Sequence, residues 1–288
     1  MKKFFILASA AIVALASCAK TEVVYKDAPE EIAFKAVNMP MTKVTEYNSN
    51  LGVAAFYHGT ANYYFNVTEF THDGTVWKGG QHWPLGGALD FVAYGPYTGA
   101  ATSVNVTNTK IEAVEVVEDV DFVYTTLVDN SGAGFTKESV SVPILLKHAK
   151  SKINVNVVNG SNETVTKVEL LDAIKTANCT ITFDDSNPVS WTVPTTGNFD
   201  FTSVKTHYVV PGTPTKLRIT YNSKEPVQNN LTVDVELADE ILYNADNTPY
   251  TGTGWMSGYS YTYTVKITSS DILVSATVDD WVEVDNSL

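Results

Sequence analysis

The chain has 288 residues and carries 32 acidic side chains against 19 lysines and arginines, a formal charge of −13 at pH 7. Such a surface repels nucleic acid and anionic lipid headgroups, which argues against both as partners. The length suits two domains of about 100 to 150 residues, each with its own core.

In chain order, Lys2-Lys3 precedes the apolar residues 4–16, and the junction Leu15-Ala16-Ser17-Cys18 follows. A basic n-region, a short apolar h-region and small residues before a cysteine predict a signal peptide over residues 1–17 that ends in a lipobox, with Cys18 as the lipidation site. The competing reading is a cleaved secretory signal in which Cys18 is incidental. The apolar run is too short to span a bilayer, and no later segment approaches the about 18 apolar residues a span needs. The mature chain is expected to be lipid-anchored in the membrane, not embedded. Residues 1–17 hold two lysines and no acids, so the mature chain keeps 17 basic and 32 acidic residues and a net charge near −15. A lipid thioether on Cys18 leaves Cys179 as the one other cysteine, which precludes an intramolecular disulfide. Cys179 sits in the alternating run 177–183 and reads as a small buried hydrophobe.

Residues 19–31 carry Lys20, Glu22, Lys26, Asp27, Glu30 and Glu31 around Pro29, a composition that cannot bury a core and predicts a flexible tether. Beyond it, residues 32–37, 52–57, 62–67, 88–94 and 121–125 are short β-branched or aromatic runs bounded by Gly, Pro, Asn or Asp, the signature of strands. Residues 152–158, 166–170, 178–183, 216–221 and 231–237 repeat the pattern. Residues 259–267 place Tyr259, Tyr261, Tyr263, Val265 and Ile267 on one face and Ser, Thr and Lys on the other, a half-buried antiparallel strand. Two windows, 111–117 and 165–175, also admit a helix. Many short strands at regular spacing predict an all-β sandwich architecture. The loop 129–134 and the restart at Val142-Pro143-Ile144 put a boundary near residue 140, giving domains over 44–140 and 141–288 after a tether and first strand over 18–43.

No catalytic constellation, metal site or cofactor is expected. His58, His72, His82, His148 and His207 are scattered; a hairpin could bring His72, Asp73 and His82 together, but solvated or hydrogen-bonded histidines are commoner than ligands. Asp184-Asp185-Ser186-Asn187-Pro188 reads as a turn, and the pairs Asp119/Asp121 and Asp279/Asp280 lack the ligand ladder of a calcium loop. There is no Gly-x-Ser-x-Gly elbow, Walker A loop or dinucleotide fingerprint. Tyr63, Tyr64, Trp77, Trp83 and Tyr97 could make a sugar-stacking platform, though in an all-β chain such residues more often pack in the core.

Several segments in this order resemble the fimbrillin family, the lipoprotein-derived pilins of Bacteroidota. They are the Leu-Ala-Ser-Cys lipobox, the strand Glu31-Ile32-Ala33-Phe34-Lys35-Ala36, Met41-Thr42-Lys43-Val44-Thr45 and Leu51-Gly52-Val53-Ala54-Ala55-Phe56. Further along come Trp83-Pro84 leading into Leu89-Asp90-Phe91-Val92-Ala93-Tyr94-Gly95-Pro96, then Asp121-Phe122-Val123-Tyr124, the hinge-like residues 144–153 and the ending Ala276-Thr277-Val278-Asp279-Asp280-Trp281. The resemblance implies two tandem transthyretin-like β-sandwiches, a place at the outer membrane and in surface fimbriae, and assembly with other copies or related pilin subunits. It further implies removal of the N-terminal segment by a trypsin-like protease, after which a neighbour's terminal strand fills the vacated groove, with adhesion to a host or bacterial surface as the outcome. On this reading Ile32, Phe34 and Ala36 fill the groove in the precursor, and Ile272, Val274, Ala276 and Val278, with Val282 and Val284 beyond Trp281, share the apolar face of a candidate donor strand. The alternative for that run is that it completes its own sheet.

One residue departs from the pattern. The chain's single arginine is Arg218, so Lys43 occupies the processing position, and a lysine-accepting protease would cut Lys43-Val44. Without that cut the lipid stays attached, as suits an anchor or tip subunit. The competing class is a monomeric surface lipoprotein that binds glycan through exposed aromatics such as Trp77 and Trp83.

Overall fold

The computed structural model describes residues 30–36, 47–139, 141–159, 163–184, 186–224, 226–240, 242–244, 248–268 and 272–281. Among these the β-branched and aromatic runs are extended throughout, and one 3-10 turn, Leu237–Asp239, is the sole helical element. The strands are β1 (Glu31–Ala36), β2 (Leu51–Tyr57), β3 (Tyr63–His72), β4 (Trp77–His82), β5 (Leu89–Gly95), β6 (Ala101–Val106), β7 (Lys110–Val116), β8 (Val123–Tyr124), β9 (Val142–Ile144) and β10 (Lys147–His148). There follow β11 (Ser151–Asn159), β12 (Thr164–Thr182), β13 (Val189–Asp200), β14 (Thr206–Val209), β15 (Lys216–Lys224), β16 (Val227–Glu236), β17 (Leu242–Asn244), β18 (Tyr259–Ile267) and β19 (Ile272–Asp280).

They form an eight-stranded sheet in the order β10-β8-β5-β2-β3-β4-β1-β9, a five-stranded sheet β14-β11-β18-β19-β17, and a six-stranded sheet β16-β15-β12-β7-β6 with β13 added alongside β12. The chain is all-β, and its sheets pack as sandwiches around three apolar cores. β2 and β5 are buried on both faces. Val53, Ala55, Phe91 and Ala93 point into a core closed by β1, Phe70, Trp77 and Ile144. Ala54, Phe56, Val92 and Tyr94 point the other way, onto Ile111, Ala113, Cys179 and Ile181. Period-2 alternation sends successive side chains to opposite faces, so a strand between two cores reads as a continuous apolar run. The third core lies between β18 and β19 on one side and β12 and β15 on the other.

The windows 111–117 and 165–175, which admit a helix by pattern, are both strands, within β7 and β12. Each contains a bulge. Glu115 and Asp172 sit in the left-handed region (φ 49° and 55°), and the ladder shifts register between Ala177 and Cys179 and between Leu170 and Ala173. The extra residue stretches the interval between buried positions from two to three, as between Ala113 and Val116, which imitates helical spacing. β12 lies wholly after residue 140, yet its far half pairs with β7, Cys179 opposite Ala113, and so packs with residues before that boundary.

The segment after β7 is clasped by side chains from later elements. The Lys175 and Glu118 side chains meet at 2.6 Å, Lys150 Nζ donates to the Val117 carbonyl at 2.6 Å, and His148 Nδ1 lies 3.0 Å from Asp121. Asp119 accepts from the Tyr208 backbone N–H at 2.9 Å and faces His207 Nδ1 at 2.8 Å, while His207 Nε2 faces the Asp200 carbonyl at 3.0 Å. Two acceptors on one imidazole favour the ring with both nitrogens protonated. Burial pulls the His207 pKa down, but these bonds outweigh it and hold it above its ordinary value. Burial likewise pushes Asp119 up and is outweighed by its bonds to His207 and the Tyr208 N–H, leaving its carboxyl below the ordinary range.

The raised His207 pKa contributes stability below the unfolded value, about 6.5, that is lost as pH rises through the folded one. The lowered Asp119 pKa contributes stability above about 3.9 that is lost as pH falls through its folded value. The pair is therefore strongest between about pH 4 and 6.5. Asp119→Asn is expected to cost about 1 kcal/mol at pH 6, discounted for the partial exposure of Asp119, and less at pH 8; urea midpoints at the two pH values check this. Burial lowers Lys150 to about 8, which adds stability as pH rises beyond that point, so the comparison belongs at or below pH 8.

Candidate functional site

β1 is the element on which the sequence reading turns. It lies second from the end of the eight-stranded sheet, between β4 and β9. On one side it runs antiparallel to β4, with Ala33 opposite Lys78 and Phe34 opposite Trp77. On the other it runs parallel to β9, with Phe34 opposite Val142 and Ala36 opposite Ile144. Among the described residues the sheet ends with the three residues of β9.

Ile32, Ala33 and Phe34 are buried, Lys35 is exposed and Ala36 is half-buried against the same core as Ile32 and Phe34. The Phe34 ring meets Phe70 and Phe91 edge-on, at centroid distances of 5.1 and 5.0 Å, a geometry that adds to the area term. Burying Ile32 and Phe34 stabilises the fold by about 1.5 to 3 kcal/mol each. The start of the strand is pinned by the Trp83 N–H donating to the Glu30 carbonyl at 3.0 Å and the Gly80 N–H donating to Glu31 Oε1 at 2.9 Å. β4 approaches closely because Gly79 has no side chain: a Cβ there would meet the Glu69 carbonyl oxygen at 2.6 Å and the Phe70 ring at 2.7 Å. The walls of this groove are apolar, and β1 is held in it by ladder bonds and burial.

The candidate donor run is placed in its own sheet. β19 lies between β17 and β18, with Ala276 opposite Tyr263 and Val278 opposite Tyr261. Ala276 and Val278 are buried in the third core, Ile272 and Val274 pack against it, and Leu273 on the other face is 52% exposed. Cys18, Lys43, Val44, Val282 and Val284 lie outside the described residues.

Two alternatives raised by the sequence do not hold. Trp77 and Trp83, counted among exposed aromatics for stacking sugars, are 2% and 5% exposed and belong to the core around β1; the Trp77 indole N–H donates to the Ser49 carbonyl at 3.0 Å. The β3–β4 hairpin forms, but it sets His72 opposite Trp77 and leaves His82 at the far end of β4, opposite Glu31, so the two histidines do not converge. The lower edge of the groove, Val142 and Ile144 in β9, went unnoticed in the sequence beyond its restart signal. Cys179, as expected, is a buried small residue; burial pushes its thiol up to about 12, which removes it as a nucleophile at neutral pH.

A family model described as fimbrillin-like matches residues 33–281. Similar solved structures include a proposed cell adhesion protein from Bacteroides uniformis, with 15% identity and a TM-score of 0.59, covering 88% of this chain and 99% of that one. One from Bacteroides ovatus has 15% identity and a TM-score of 0.55, covering 90% and 100%. A fimbrial protein from Bacteroides vulgatus has 16% identity and a TM-score of 0.53, covering 88% and 99%. At these identities the likeness is one of fold. No curated protein matches the sequence.

Proposed function

The chain belongs to the fimbrillin-like family, and on that premise we propose that it is a structural subunit of surface fimbriae, exported as a lipoprotein through Cys18 and assembled with other copies or related subunits by strand exchange. The observation that carries this reading is β1. It supplies buried residues to a core made otherwise by distant segments, and it is closed off by only the three residues of β9. A cut at Lys43-Val44 would leave β1 held by noncovalent contacts alone. Its departure uncovers the β4 edge and the pockets of Ile32 and Phe34, and a strand with apolar residues at alternate positions restores both ladder and burial.

A donor drawn from Ile272, Val274, Ala276 and Val278 has to leave its place between β17 and β18. By sequence the same alternation continues past Trp281 with Val282 and Val284, which extend the candidate donor. As a division of labour, β4 from residues 44–140 and β9 from residues 141–288 border the acceptor groove, and residues 141–288 also supply the donor, with adhesion the outcome of assembly.

The test is the N-terminus and lipid status of the protein recovered from its native cells. A Val44 start without lipid identifies a processed stalk subunit, and a lipidated Cys18 identifies an anchor or tip subunit. An unlipidated chain that keeps residues 18–43 contradicts both the lipoprotein and the processing assignments.

A further inference from the structure

The tether joins the fold at a defined rim. The Trp83 N–H donates to the Glu30 carbonyl, and Glu31 is paired with His82, so the chain enters β1 beside residues 82–83. Two residues on, the bend Pro84-Leu85-Gly86-Gly87 presents Leu85 100% exposed. The His58 N–H donates to the Ala88 carbonyl at 2.9 Å, which sets Tyr57 beside this bend. The Tyr64 hydroxyl donates to the His82 carbonyl at 2.8 Å, and the Tyr57 and Tyr64 rings meet edge-on at 5.5 Å. Tyr57 is exposed and Tyr64 half-buried. A leucine fully in water and two tyrosines therefore surround the exit of the tether.

We propose that this rim, Leu85 with Tyr57 and Tyr64, rests in the interface of the bilayer that holds the chain through Cys18. The proposal rests on the lipoprotein reading and adds the surface that meets the membrane. The occupant follows from the leash. Glu30 lies twelve residue steps from Cys18, which at about 3.5 Å per residue confines this end within about 40 Å of the lipid. Within that radius the local concentration of bilayer is high, so a contact too weak to bind alone becomes occupied. Leucine gains by leaving water and tyrosine suits the boundary between apolar chains and headgroups. The titratable groups around the rim are Glu30, Glu31, His82, His58 and Asp129. Glu31 is engaged by the Gly80 N–H, and His58 is paired with buried Asp90 at 2.7 Å. With a net charge near −15 on the mature chain, 17 basic against 32 acidic residues, a zwitterionic surface fits and an anionic one does not.

The mature chain, beginning at Cys18, is coupled through that thiol to a maleimide-bearing lipid in phosphatidylcholine vesicles. Cys179 does not compete, being buried with its thiol pushed up to about 12. Millisecond hydrogen–deuterium exchange of the peptide spanning residues 84–89 is compared on vesicles and free in solution. Exchange at least several-fold slower on vesicles, restored to the free rate by Leu85→Asp, with peptides from β18 unchanged, supports the proposal. Equal rates on and off vesicles overturn it, as does slowing that persists in the Leu85→Asp variant. Slowing in free protein that grows with protein concentration, or on adding soluble polysaccharide, overturns it in favour of a second copy or a glycan. Native lipidation is read separately from the mass of the N-terminal peptide, so its failure is distinguishable from failure of the rim.

Discussion

Phe34→Asp in the full precursor is expected to destabilise the fold by more than about 4 kcal/mol, enough to abolish cooperative folding of the first half or its soluble yield. Phe34 is wholly buried between Phe70 and Phe91 and stands opposite both Trp77 and Val142. Removing the ring costs about 3 to 5 kcal/mol in cavity and transfer terms, and a carboxylate in its place adds the cost of burying a charge with no partner. Lys35→Glu, one residue on but exposed, should change stability by no more than about 0.5 kcal/mol. Urea denaturation of the two variants separates a groove-filling strand from a surface one; equal midpoints would sink the assignment of β1.

A chain starting at Val44 is expected to be the second large departure. It lacks Ile32, Ala33 and Phe34, so the core around Phe70, Phe91 and Ile144 loses one wall, and β4 and β9 lose their common neighbour. An unpaired edge beside an apolar groove recruits whatever strand is available. The shortened chain should therefore associate at micromolar concentration, by light scattering on a sizing column, and an added peptide of residues 30–36 should return it to monomer. The same peptide with Asp in place of Phe34 should not. A stable, peptide-insensitive monomer would mean that β1 is dispensable to the groove.

Strand existence was legible wherever alternation was unbroken. Residues 259–267 read as a half-buried strand and form β18 with Tyr261, Tyr263, Val265 and Ile267 inward. β2 and β5 were legible as strands but not as strands between two cores, because burial on both faces erases the alternation that would orient them. β7 and β12 were ambiguous because bulges, one at Glu115 in β7 and several along β12, shift the period. The groove filler itself was visible as Ile32 and Phe34, whereas its walls were not. The parallel pairing of Phe34 with Val142 joins residues far apart in sequence, and nothing local in Val142-Pro143-Ile144 announces its partner. Trp77 and Trp83 are core residues, the commoner fate of aromatics in an all-β chain, and their burial removes the exposed platform that the glycan alternative needed; composition shows that an aromatic is present, and the topology decides whether a sheet curls over it.

The central claim is that β1 is a removable strand whose loss licenses assembly. The intact precursor, cut in vitro by a lysine-specific protease under native conditions and run on a gel in mild detergent, tests it most directly. The account predicts cleavage after Lys43, release of the fragment bearing β1, and a ladder of multimers that resists the detergent and appears only after the cut. A protein that is cut at Lys43, sheds that fragment and remains a folded monomer would contradict it.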